Sequence, residues 1–269
     1  MTTDATALLR ANDLSGALAT LQAQVRANPG DARLRIFLFQ LLCVLGDWKR
    51  AITQLKLCAE LDPLALPMAQ TYREAIICEV YREKVFAGEK APLIFGEPQE
   101  WLALLVESLR SLAAGRPDEA AALRARAFDA APAARGEADG VAFDWIADAD
   151  PRLGPVLEII IDGKYYWMPF TAIAALRADP PADLRDAVWT AVHLTLHNGG
   201  EKVALIPTRY VGTTPDGSAA ARLARITDWT DLGAETFVGI GQRVLATDAG
   251  DIALMDLRAL RIHPVPGGQ

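Results

Sequence analysis

Apolar residues recur along the first half of the chain at intervals of three and four, the spacing of one helical face; in the second half they fall in short runs separated by glycine turns. Residues 11–29, ANDLSGALATLQAQVRANP, and 45–63, LGDWKRAITQLKLCAELDP, carry the first pattern. Set side by side, Ala17 matches Ala51, Leu21 matches Leu55 and Pro29 matches Pro63, each pair 34 residues apart. A third copy at 115–132, GRPDEAAALRARAFDAAP, keeps the 12-residue interval from Ala120 to Pro132. Ala120 lies 69 residues after Ala51, so a diverged or insertion-bearing unit is expected over 66–114. A period of 34 is that of the tetratricopeptide helix pair. Alanine at the crossing lets two helices approach to the short end of the usual interaxial range, and proline ends the second helix because it lacks an N–H and clashes with the preceding turn. Phe39 and Gln24 depart from the small residues such a repeat prefers. An irregular bundle with accidental spacing is the simpler alternative; stacked helical hairpins account for more of the pattern. Residues 98–115 predict a further helix, with Trp101, Leu104, Leu105, Leu109 and Leu112 on one face, Pro98 in its first turn and Gly115 at its exit.

From about residue 133 the helical period stops. EIIIDGKYYWMPF is an apolar run, an Asp162-Gly163 turn and an aromatic run, the strongest short-range hairpin signal because a type I′ turn needs positive φ at both central residues. Further hairpins are expected around Asn198-Gly199-Gly200 and around Ala249-Gly250. In the aromatic run, Tyr165 and Trp167 should face one side and Tyr166 and Met168 the other, a strand buried between the β core and the helices. The competing reading is an exposed aromatic binding platform. The architecture expected is α+β: tetratricopeptide-like helical repeats over 1–135, a linker over 136–150, and a small antiparallel, barrel-like β domain over 151–269.

Composition changes this picture little. The 269 residues are 51% hydrophobic and 23% charged, as in a folded globular chain, and the formal charge of −7 supplies no basic footprint for nucleic acid. No run approaches the length of a membrane span, and the early Asp4 argues against a secretory signal. The three cysteines, Cys43, Cys58 and Cys78, sit inside helical patterns and read as small buried hydrophobes of a reducing cytoplasm.

Catalytic and metal motifs are weak. His193 and His197 are four apart and would share a strand face, but only Glu201 offers a third ligand, so both read as ordinary strand histidines. Asp148, Asp150 and Glu158 resemble the start of a calcium loop, yet the fifth, sixth and twelfth positions are Arg152, Leu153 and Ile159, and the pattern fails. The cluster then reads as a solvated linker with capping aspartates. Gly239-Ile-Gly241 is half of a dinucleotide fingerprint and lacks the third glycine, and no phosphate-binding loop or serine-nucleophile elbow occurs. Asp183, Arg185 and Asp186 are the best starting point for a hydrolase, against the simpler reading of a turn with local ion pairs. No cofactor and no metal are expected.

The segments DADPRLGPVLEIIIDGKYYWMPF, PADLRDAVWTAVHLTLHNGGEKVALIPTRYVG, RLARITDW and GIGQRVLAT resemble the ImpE family, also called TagJ or SciE, and the resemblance extends over nearly the whole chain. One departure follows Trp189, where an arginine-proline-alanine-like stretch is replaced by Thr190-Ala191-Val192. The resemblance implies a helical repeat region before a β-containing domain, and a role as an accessory component of bacterial type VI secretion. It further implies links to the small subunit of the contractile sheath and to the ClpV-type AAA+ ATPase that disassembles it. The expectation is a cytoplasmic, non-catalytic adaptor that neither enters membranes nor binds nucleic acid; a chaperone-like binder of a secreted effector is the alternative, and a small hydrolase a more distant one. The expected groove belongs to the first helices of the repeats, which supply Arg33, Phe37, Gln40, Gln70 and Arg73.

Overall fold

The computed structural model describes residues 4–264. Its first half is helical: α1 (Ala5–Arg10), α2 (Leu14–Ala27), α3 (Ala32–Val44), α4 (Trp48–Leu61), α5 (Leu66–Phe86), the two-residue strand β1 (Leu93–Ile94), α6 (Glu100–Ala113) and α7 (Pro117–Ala130). The sequence repeat is a structural one. Each copy is the second helix of a hairpin, α2 against α1, α4 against α3 and α7 against α6, and Ala17, Ala51 and Ala120 are all fully buried. The caps repeat too: Asp13 and Asp47, 34 apart, each accept a hydrogen bond from a backbone N–H of the first turn. The expected insertion resolves into α5, β1 and α6. Helix α6 starts at Glu100, beyond Pro98, and Leu104 and Leu112 are half-buried while Trp101, Leu105 and Leu109 are buried.

The chain then forms β2 (Gly136–Ala138), β3 (Val141–Phe143), β4 (Ile146–Asp148), β5 (Val156–Ile161), β6 (Lys164–Pro169), β7 (Ile173–Ala178), β8 (Trp189–Leu196) and β9 (Glu201–Pro207). Two short helices, α8 (Thr213–Asp216) and α9 (Ala219–Arg222), precede β10 (Thr227–Asp231), β11 (Phe237–Gly241), β12 (Val244–Thr247), β13 (Gly250–Ala253) and β14 (Ala259–Ile262). Nine strands make one sheet in the order β1-β6-β5-β9-β8-β7-β14-β2-β3, antiparallel except where β1 joins β6. Strands β13-β12-β4 form a second sheet and β10-β11 a third.

All three expected hairpins are present, and Asp162 (φ 50°) and Gly163 (φ 71°) adopt the left-handed conformation the first one needs. Thr190-Ala191-Val192, where the family resemblance falters, continues β8 without a break. Two expectations fail. The large sheet is open, not a barrel: β1 and β3 are its edges and do not pair with each other. Side chains from both ends of the sheet meet in one core with Leu245 and Leu254 of the β12–β13 region, so the small sheet seals what closure would have sealed. Residues 136–150 are not a linker but strands β2, β3 and β4, too short for an alternating pattern to show. The last five positions of the expected β domain lie outside the described residues.

The helices and the sheet share a core. Strand β5 is buried along its whole length: Val156 and Ile160 join the helical core, and Leu157, Ile159 and Ile161 the other. Tyr165 and Trp167 of β6 point into the helical core and Met168 into the other, with Tyr166 packed against it, as the alternation predicts.

Candidate protein-binding site

One face of α5 is committed to the β half. Arg82 donates from Nε and Nη2 to the two carboxylate oxygens of Glu158 on β5, at 2.6 and 2.7 Å, and from Nη1 to Glu79 at 3.2 Å. Arg243 also binds Glu158, at the oxygen that accepts from Arg82 Nη2, and pairs with Asp148 of β4. Tyr165 donates to Glu158 as well, and Trp167 donates to the Tyr165 hydroxyl at 2.8 Å. Trp189 donates to Glu79 at 3.0 Å. Arg209 donates to the carbonyls of Val44 and Cys43, at 2.8 and 3.2 Å, and so closes the C-terminal end of α3 from the β half. The guanidinium groups of Arg82 and Arg152 both lie over the ring of Phe86 at the end of α5, 5.7 and 4.8 Å from its centroid.

This network overturns the reading of Asp148, Asp150 and Glu158 as a solvated cluster: all three are buried, and each is matched by arginine. Burial opposes the ionised form of Glu158, but Arg82 and Arg243 outweigh it and lower the carboxyl to about 2. For Asp148 burial prevails over Arg243, and the carboxyl is pushed up to about 6. Among the described residues no buried side-chain nitrogen or oxygen lacks a hydrogen-bond partner. Sequence reasoning missed the network because its arginines lie as far as 95 residues from the acids they neutralise. Spacing carries no such signal.

The remaining motifs resolve simply. His193 lies on β8 but His197 falls in the following turn, and both are exposed, so they do not share a strand face. Asp183 and Arg185 pair with each other, Arg185 lies over the Tyr72 ring of α5 at 5.0 Å, and Asp186 accepts from the backbone N–H groups of residues 182 and 183. They hold a turn against the helices. Gly239-Ile240-Gly241 is part of strand β11, not a strand-turn-helix. Cys43, Cys58 and Cys78 are free and buried. No described helix is long and apolar enough to cross a membrane.

The expected groove residues separate. Gln40 is buried close to Asp183 of the β half, and Phe37 is packed on the core. Arg33 is exposed at the start of α3. Only Gln70 and Arg73 line a groove. It lies between α4 and α5, encloses about 500 Å³, and is floored by Ile52, Leu55, Ala59 and Ala69. Leu66 lines it and is 58% exposed; Leu61, the last residue of α4, and Leu64, in the connection to α5, are 44% and 90% exposed. Leu66 at the groove, with Leu61 and Leu64 close by in sequence, leaves exposed apolar surface where α4 passes into α5.

Two family models match the chain: Tetratricopeptide repeat over residues 8–71 and ImpE protein over residues 140–261. The "Type VI secretion system accessory component TagJ" of Pseudomonas aeruginosa strain PAO1 is 53% identical over 257 residues, which cover 96% of this chain and 90% of that protein. The crystal structure of protein VPA1032 from Vibrio parahaemolyticus superposes with a TM-score of 0.89 at 27% identity, covering 98% of this chain and 99% of that one.

Proposed function

The chain belongs to the ImpE family of type VI secretion accessory components, and from that membership we propose a non-catalytic cytoplasmic adaptor that holds a segment of the small sheath subunit in the α4–α5 groove. The β half then serves to connect the held subunit to the ClpV-type ATPase. The observation that carries this reading is the apolar α4–α5 groove with the exposed Leu66 in its lining, next to the exposed Leu61 and Leu64 of the α4-to-α5 passage. Repeat proteins bind through surfaces their own stacking leaves open. Here the C-terminal end of α3 is occupied by Arg209, and the face of α5 that carries Tyr72 and Glu79 by Arg185 and Trp189, all of the same chain. What stays open is the α4–α5 side. An amphipathic helix laid there would cover the leucines with its apolar face.

The test is co-elution and calorimetry with the purified small sheath subunit. Burying one leucine on binding is worth about 1.5–3 kcal/mol, so Leu66→Asp, at an exposed position, should weaken association by roughly tenfold or more. No association with the intact protein would discard the sheath reading, and unchanged binding by Leu66→Asp would discard the groove.

A further inference from the structure

Hairpin β10–β11 stands as a sheet of its own, and among the described residues β10 pairs only with β11, which leaves its outer edge without a strand there. The register sets Trp229 opposite Gly239 and Asp231 opposite Phe237. Trp229 and Phe237 are therefore diagonal neighbours on one face, and they are 41% and 50% exposed. The segment 227–241 contains Asp228, Asp231 and Glu235 and no lysine, arginine or histidine. All three carboxylates are exposed, and none is in an ion pair among the described residues.

The hairpin is also held firmly in place. The Tyr210 ring occupies the space a side chain at Gly239 would need, and it packs against Trp229 with centroids 5.7 Å apart. The Gly239 N–H donates to the buried Asp150 at 3.1 Å. Arg124 of α7 donates to the carbonyls of Ala234 and Glu235, at 3.3 and 3.4 Å, and so anchors the turn. Acidic residues on an edge strand by themselves often serve only to repel other chains. Trp229, held half-exposed on the same free edge by Tyr210 and with Phe237 beside it on β11, does the opposite, since it invites a covering strand.

We propose that the free edge of β10 receives an extended segment of a partner protein in which apolar and basic residues alternate. Main-chain hydrogen bonds to β10 supply affinity and the alternating side chains supply selectivity. One row covers Trp229 with Phe237 behind it, the other presents lysine or arginine to Asp228, and a further basic residue where the alternation ends meets Asp231, which shares the Trp229 face, and Glu235 in the turn. The surface uses none of the groove residues, so it gives the adaptor a second point of attachment; only the partner's identity rests on the adaptor reading.

The probe is a fluorescein-labelled peptide of alternating valine and lysine, titrated with the full chain at low salt and followed by anisotropy. Reversing Asp228, Asp231 and Glu235 to Lys should weaken binding by roughly tenfold or more. Reversing the exposed Glu89, Glu97 and Glu100 to Lys changes the net charge equally and should leave binding within about twofold. N-methylating alternate amides of the probe, which removes the strand's donors, should abolish binding. Equal loss in both charge-reversed variants, binding by the N-methylated probe, or no binding by the intact chain would each overturn the proposal. Circular dichroism checks that the variants fold; if the triple variant does not, Asp228→Lys alone carries the test, with a loss of about threefold expected. Because the readout involves no sheath subunit, its failure is distinct from failure of the groove experiment.

Discussion

Glu158 accepts from two arginines that come from distant parts of the chain, Arg82 from α5 and Arg243 from the connection between β11 and β12. Removing it would leave two guanidinium groups buried without a counter-charge, so Glu158→Ala should lower stability by about 3–5 kcal/mol, measured by urea unfolding. The pH dependence follows from the same contact. A carboxyl held at about 2 in the folded chain against an ordinary 4.5 contributes stability that is complete above the ordinary value and is lost as pH falls toward 2. Urea midpoints measured between those limits should therefore fall with acidification, and fall less steeply in Glu158→Gln, which starts from a lower midpoint. Arg124 shows how one residue changes a repeat's use. It stands four after Ala120, where Leu21 follows Ala17 and Leu55 follows Ala51, and it anchors the β10–β11 turn from that position.

Among the elements, α5 does two jobs because it has two faces. Leu66, Gln70 and Arg73 look into the groove; Tyr72, Glu79 and Arg82 meet the β half. Its apolar residues are spread around it, which is why no clean helical stripe announced it. The neighbouring α4 is the more regular helix, and its position depends on the Asp47 cap, which accepts from the Arg50 N–H at 3.2 Å and pairs with the Arg50 side chain. Asp47→Ala should cost about 1 kcal/mol in thermal or urea unfolding. It should also weaken groove ligands less than Leu66→Asp does, because it leaves the lining intact.

At the scale of the whole molecule, the two segments matched by separate family models are not separate bodies in the fold. The helical core includes Val156, Ile160, Tyr165, Trp167 and Trp189 from the β half, and the ionic network crosses the same junction. Unfolding should accordingly be a single transition: tryptophan fluorescence and far-ultraviolet circular dichroism should give coincident urea curves. A fragment ending at residue 135 would expose the surface those residues cover, and it should bind a hydrophobic dye and lack a cooperative transition. Two resolved transitions, or a fragment that melts sharply, would show that the junction is dispensable.

The chain's local pattern determined the helical hairpins, their aspartate caps and proline stops, the three β turns and the two-sided burial of β6. Each depends on residues within a few positions of one another, where periodicity and backbone preference act. The open sheet, the strands within 136–150, the burial of Asp148, Asp150 and Glu158, and the covering of Gln40 were decided by tertiary structure. Those features depend on which distant residue arrives opposite: an aspartate is solvated or buried according to whether an arginine far along the chain comes to meet it. The same holds for the groove. The sequence placed Gln70 and Arg73 on a repeat helix, and only packing of the β half onto the other face of α5 left that side open.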